Sequence, residues 1–292
     1  MIAQLFAIVA PILVCSAIGY GWARIKAPFH SETLGSLVFL VGTPCLVFST
    51  LTSIRLEAAV FGAMALSAAT VLALAAVCGA LVLRLSGLAM PTYLPSLMFP
   101  NSGNMGLPLA LFAYGEQGLA LAIAYFFVHA LCQFTIGASL AAGRANIARM
   151  LRLPLIYAVA VALAYLVSGS PVPAWLSNTT QVLGALTIPL MLILLGHALA
   201  KLGVADVKTS LALAVARLAI GLGVGIAVAW LLGLEGPARG VVILLSAMPA
   251  AVFNFVFAER FGREPEAVAG LVIVSTALSF VTLPLLLWFV LL

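Results

Sequence analysis

The chain has 292 residues, of which 65% are hydrophobic and only 7% charged. A soluble domain of this length carries roughly 70 charged residues, yet the sequence has 13 Lys+Arg and 8 Asp+Glu, with a mean hydropathy of +1.27. That excludes a soluble fold, and the net charge of +5, scattered singly through short loops, forms no basic stripe for nucleic acid.

An all-α polytopic membrane protein is expected instead. Apolar runs of about 20 residues fall at 2–22, 33–53, 58–82, 94–114, 118–141, 154–168, 175–200, 209–233, 240–258 and 267–291. These are ten predicted transmembrane helices joined by short loops. Met1-Ile2-Ala3-Gln4-Leu5-Phe6 has no positive leader, so the first run reads as a retained span. Cys15, Cys45, Cys78 and Cys132 lie inside apolar runs without C-x-x-C spacing and read as packing residues. No cofactor or metal site is expected.

The basic residues set an orientation. Arg24, Lys26, Arg84, Arg144, Arg149, Arg152, Lys201, Lys208, Arg260 and Arg263 fall in one set of loops, against only Arg55 and Arg239 in the other. That bias puts the first set in the cytoplasm and both termini outside, in the plasma membrane or bacterial inner membrane.

The two halves, 1–147 and 148–292, resemble each other. Pro100-Asn101-Ser102-Gly103-Asn104-Met105-Gly106-Leu107-Pro108 in span 4 corresponds to Met248-Pro249-Ala250-Ala251-Val252-Phe253-Asn254-Phe255 in span 9. Downstream, His129 and Gln133 align with Ser275 and Ser279, and Thr43-Pro44 aligns with Ile188-Pro189. Five spans per repeat is an odd number, so the second repeat is inserted inverted. Inverted repeats with interrupted helices are a signature of secondary transporters.

Proline in a helix interior removes a hydrogen bond and clashes with the preceding turn. Pro100, Gly103, Gly106 and Pro108 therefore argue against continuous helix in span 4, and Pro249 breaks span 9. Unwound backbone at membrane depth must be buried in protein or line a wet cavity. Asn101, Ser102, Asn104, Ser246 and Asn254 stand at the breaks to satisfy it. Two such crossover helices would direct half-helix N-termini at one point, which favours an anion. Neither break contains Asp, Glu, Lys or Arg, so the anion would be held by dipoles and amides alone.

These crossover motifs, with Ala258-Glu259-Arg260-Phe261-Gly262, resemble the auxin efflux carrier family, which includes plant PIN proteins and bacterial permeases proposed for malate or malonate. The resemblance spans essentially the whole chain. It implies a scaffold of helices 1, 2, 6 and 7, often a homodimer, and a transport domain of helices 3–5 and 8–10 that moves as an elevator. It also implies a substrate site at Pro100, Asn101, Asn104, Gln133, Pro249 and Val252. Two features depart from the plant members: the loop between spans 5 and 6 is short, and span 3 carries no charge.

Other polar residues extend the candidate set. Ser102, Asn254 and Ser279 join the substrate-binding group. His129 and Arg217 are candidate coupling groups, although Arg217, about two turns from the cytoplasmic end, could also snorkel. His197 reads as structural.

The expected function is a secondary or potential-driven transporter of small organic anions, carboxylates of the auxin or malate and malonate type, working as an exporter. The alternatives are a cation-coupled importer of the same fold, or a sensor or channel that retained it. No enzyme is expected, because no catalytic pair appears at usable spacing.

Overall fold

The computed structural model describes residues 2–54, 57–143, 153–201 and 206–291. Arg55, Arg144, Arg149 and Arg152, used above for orientation, lie outside the described residues.

Span 1 is α1 (Ile2–Arg24). Span 2 is one run of α2 (Ser31–Leu37), a π-helical turn at Val38–Gly42, and α3 (Thr43–Ile54). α4 (Ala58–Ser86) is span 3. α5 (Met90–Met98) begins span 4, which breaks and resumes as a π-helical turn at Ser102–Gly106 and then α6 (Leu107–Cys132). α6 takes in the end of span 4 and most of span 5. They meet at a corner at Gly115, whose φ of 65° and ψ of −158° suit a residue without Cβ. A further π-helical turn at Gln133–Gly137 leads into α7 (Ala138–Ala142).

The chain continues with α8 (Pro154–Ser168), α9 (Ala174–Ala185), α10 (Thr187–Lys201) and α11 (Val207–Leu231). Span 9 is split into α12 (Gly236–Ser246) and α13 (Val252–Phe261), and α14 (Pro265–Leu291) closes the chain.

Among the described residues, seven helical runs are long and apolar enough to cross a bilayer: Phe6–Arg24, Ser31–Ser53, Ala59–Ser86, Ser102–Ala142, Ala174–Lys201, Val207–Leu231 and Pro265–Leu291. The run Ser102–Ala142 has 41 residues, twice the length of about 20 that one crossing needs. α8 and α12 are shorter apolar helices. Large apolar side chains such as Leu66, Val77, Leu85, Val167, Trp230 and Val281 point outward. An all-helical chain with this exterior is an integral membrane protein.

Packing is uneven around the bundle. α1 lies along α10, and α3 packs against α8 and α9. α4 packs against α5, α6 and α11, while α12 packs on α6 and α11, and α14 on α11 and α13. Phe99, Met105, Leu107, Leu109, Ile123 and Tyr125 are fully buried around the break in span 4. Fully buried side chains therefore surround the irregular backbone of span 4.

Candidate functional site

Proline sets the site up. Pro100 has no N–H and disfavours helical geometry in the residue before it, and Phe99 is extended at φ −103° and ψ 100°. α5 accordingly stops at Met98. α12 likewise ends at Ser246, three residues before Pro249, and the helix restarts only at Val252. The interruption in span 4 is shorter than expected. In span 4 only Phe99–Asn101 leaves the helix, because Gly103 and Gly106 fit the π-helical turn, and that wider turn directly precedes Pro108, where a regular i→i−4 ladder would lose a bond and clash.

The two extended segments cross and pair with each other. The Asn101 N–H donates to the Pro249 carbonyl at 2.7 Å, and the Ala251 N–H donates to the Phe99 carbonyl at 3.1 Å. Together they form an antiparallel bridge centred on Pro100 and Ala250. Each break thus satisfies backbone groups that the other leaves open.

Side chains complete the accounting. Asn254 Nδ2 donates to the Phe99 carbonyl at 3.1 Å, and Gln133 Nε2 donates to Asn254 Oδ1 at 3.4 Å. The Ala250 N–H donates to Ser275 Oγ at 3.1 Å. Pro100, its counterpart across the bridge, has no N–H to offer. Ser279 donates to the Thr276 carbonyl at 2.7 Å and lies 3.9 Å from the sulfur of Met105. Asn104 and Val252 are half-buried beside this network. Pro100, Asn101, Ser102, Gln133, Pro249, Asn254 and Ser279 are thus brought into one region by helices from both halves of the chain.

Some polar atoms remain unspent. Asn101 Nδ2 and Ser102 Oγ are buried without a hydrogen-bond partner, at 3% and 0% residue exposure. His129 also has both ring nitrogens unpartnered, with its ring edge-on to Phe99 at 5.6 Å and stacked with Phe126 at 6.2 Å. His197, outside this region, stacks on Phe29 at 4.0 Å.

Arg217 is where the structure decides between two readings that the sequence left open. It does not snorkel: it is 1% exposed and reaches into the crossover. Its Nη1 donates to the Leu97 carbonyl at 2.6 Å, its Nε to the Met248 carbonyl at 3.3 Å, and its Nη2 to the Ser246 carbonyl. A helix C-terminus leaves its last carbonyls without partners, and one guanidinium collects those of α5 and α12 together. The expectation that no fixed charge stands at the breaks fails for the same reason. The charge arrives from α11, outside both broken spans.

Gly221 and Gly225 make that approach possible. A Cβ on Gly221 would collide with the Ser246 carbonyl oxygen, and one on Gly225 with the Ser246 hydroxyl. Arg217, Gly221 and Gly225 recur every fourth residue, so they share one helix face. That spacing is the sequence signal that could have assigned Arg217 to the crossover. Ser275, which aligns with His129, pairs with Ala250 from 25 residues away, and no local pattern signals that bond.

The whole-chain comparison agrees with the motif. A family model described as "Membrane transport protein" matches residues 4–149 and 141–287. The chain belongs to that family. It is also 21% identical over 282 residues to an uncharacterised transporter of Methanocaldococcus jannaschii, covering 90% of each chain. Membership in the transport family is what the crossover motifs implied when they resembled the auxin efflux carriers.

Asn101, Ser102, Gln133, Asn254 and Ser279 are all buried at the crossover. A cavity of about 480 Å³ is lined by Tyr114, Arg239 and Phe289, and another of about 520 Å³ by Thr52, Glu57 and Tyr165. Neither is lined by any predicted site residue. Among the described residues no three His, Cys, Asp or Glu side chains gather to hold a metal ion, and the four cysteines are unpaired.

Proposed function

We propose that the protein is a secondary transporter of small organic anions, carboxylates of the auxin or malate and malonate type, which it exports by elevator-type alternating access. The observation that carries this reading is the crossing of two helix breaks around Asn101 and Ser102, whose side chains are buried beside helix N-termini with polar atoms to spare. Such a point attracts a carboxylate.

The architecture proposed is ten membrane helices in two inverted repeats. The antiparallel pairing of Pro100 with Ala250 supports it, since an in-plane pseudo-two-fold would relate those residues. A scaffold of helices 1, 2, 6 and 7 is supported by the packing of α1 on α10 and of α3 on α8 and α9. The remaining helices gather around the crossover as the moving domain. Their buried site residues meet substrate only when the two bodies shift, which suits alternating access. The protein is proposed to work as a homodimer in the plasma or bacterial inner membrane, both termini outside, without cofactor or catalysis.

Export follows from energetics. A monoanion leaving a cell held at about 100 mV inside-negative gains roughly 2.3 kcal/mol, so outward transport needs no coupled ion. Labelled carboxylate flux in proteoliposomes under an imposed potential tests the reading. Flux that follows the potential is expected for at least one of malate, malonate, pyruvate and indole acetate. None for all four rejects the anion reading.

A further inference from the structure

We propose that Arg217 is the built-in counter-charge of the crossover. The site then takes a singly charged carboxylate and moves as a neutral unit when loaded, but with one positive charge when empty. The proposal rests on the anion-transport reading above and assigns its charge class and its voltage-dependent step.

The argument starts from an unusual charge balance. Arginine stays protonated in proteins, and buried charges are ordinarily paired with an opposite charge. Arg217 is 1% exposed, while all eight Asp and Glu side chains of the chain are exposed. No carboxylate therefore compensates it. What it does meet are the carbonyl ends of two helices, α5 at Leu97 and α12 at Ser246 and Met248. A helix C-terminus carries roughly half a negative charge, so two of them match one guanidinium.

The same breaks present two helix starts. One follows Asn101 and the other is Val252, at the start of α13. Each carries roughly half a positive charge, so together they match one negative charge. Asn101 Nδ2 and Ser102 Oγ are buried there with no partner inside the protein. A carboxylate would complete both the charge and the hydrogen bonds. A second negative charge on the same substrate would stand uncompensated in an apolar interior, which is expensive.

The consequence for transport is a matter of charge conservation. Arg217 is bonded to both broken helices, so it travels with the site. Carrying one anion outward moves a neutral unit, and returning empty moves one positive charge inward. The cycle exports one negative charge in total, and the membrane potential acts on the empty return.

The test uses the full chain purified into vesicles, with the potential clamped by potassium and valinomycin. Pyruvate and indole acetate are the singly charged probes, and malate and malonate, at neutral pH, the doubly charged ones. Exchange of a singly charged probe against itself uses only the loaded step. It should change less than about twofold between zero and 100 mV, whereas its net efflux should change about tenfold or more. The doubly charged probes should exchange at least about tenfold more slowly.

Arg217→Lys keeps the charge and should keep exchange insensitive to potential, even with a lower melting temperature. Arg217→Gln should make exchange potential-dependent. If that variant does not fold, the wild-type exchange and efflux rates decide. Exchange that follows the potential in the wild type, an Arg217→Gln exchange that ignores it, or equal transport of malonate and pyruvate overturns the proposal and leaves anion transport standing. No exchange of any of the four probes removes the anion reading itself, and this proposal with it.

Discussion

The guanidinium of Arg217 donates to the carbonyl oxygen of Leu97 at 2.6 Å across 120 residues of sequence, and so ties the end of α5 to α11. The same side chain holds the end of α12 through Ser246 and Met248. Replacing it with methionine preserves much of the volume and orphans three carbonyls. Leaving a buried acceptor unsatisfied costs about 1–3 kcal/mol each. Arg217→Met should therefore give little folded protein, with a melting temperature in detergent well below wild type. A wild-type melting profile would remove Arg217 from its role as the clasp of the crossover.

Asn101 and Asn254 should separate binding from folding. Asn101 holds the crossover with its backbone and leaves its side-chain Nδ2 without a partner, so Asn101→Ala should lower carboxylate flux at least about tenfold with folded yield unchanged. Asn254 spends its side chain on Phe99 and Gln133. Asn254→Ala should lose about 1–3 kcal/mol of stability as well as flux. Flux and melting temperature measured side by side on both variants check the contrast.

Gly225→Ala probes the approach of α11 to α12. The added methyl displaces the Ser246 hydroxyl and comes too near Ser246 Cβ and Ile243 Cα, so that hydroxyl must turn and α11 must give slightly against α12. Overpacking of this kind costs about 1–3 kcal/mol. Gly223, with open space where its Cβ would go, is the control, and Gly223→Ala should melt like wild type.

Accessibility of engineered cysteines tests the orientation. Glu116 is exposed beside the Gly115 corner and Arg84 is exposed near the end of α4. In a cysteine-free background, Glu116→Cys should react with an impermeant maleimide on intact cells. Arg84→Cys should react only after permeabilisation. The reverse pattern would invert the proposed topology.

Asp206 caps the start of α11 by accepting from the backbone N–H groups of Lys208 and Thr209, and from the Thr209 hydroxyl. Those bonds hold its carboxyl below the ordinary value of about 3.9, the Thr209 hydroxyl foremost. A depressed carboxylate contributes stability that is present above its unfolded value and lost as pH falls through its folded one. Thermal melts taken from neutral to acidic pH should show that loss in the wild type, and Asp206→Ala should lack that part of it.

Much of the site was legible because proline and asparagine carry their chemistry in their own names. Pro100 and Pro249 end a helix wherever they stand in its interior, and Asn101 and Asn254 beside them announced polar backbone to be satisfied. The π-helical turn over Ser102–Gly106 was not legible, because two glycines and a proline forbid less than their propensities suggest. The place of Arg217 was left open for a different reason. Its partners are backbone carbonyls 29, 31 and 120 residues away, and every residue has one.

The sparse charge of the chain, 13 basic and 8 acidic residues in 292, determined by itself that the protein lives in a membrane. Pro100 and Pro249 determined where two of its helices break. Which charge stands at the breaks was decided only by tertiary structure. Hydrophobic periodicity acts locally along the chain, but a buried guanidinium goes where helix ends from elsewhere leave carbonyls open, and only folding brings those ends together.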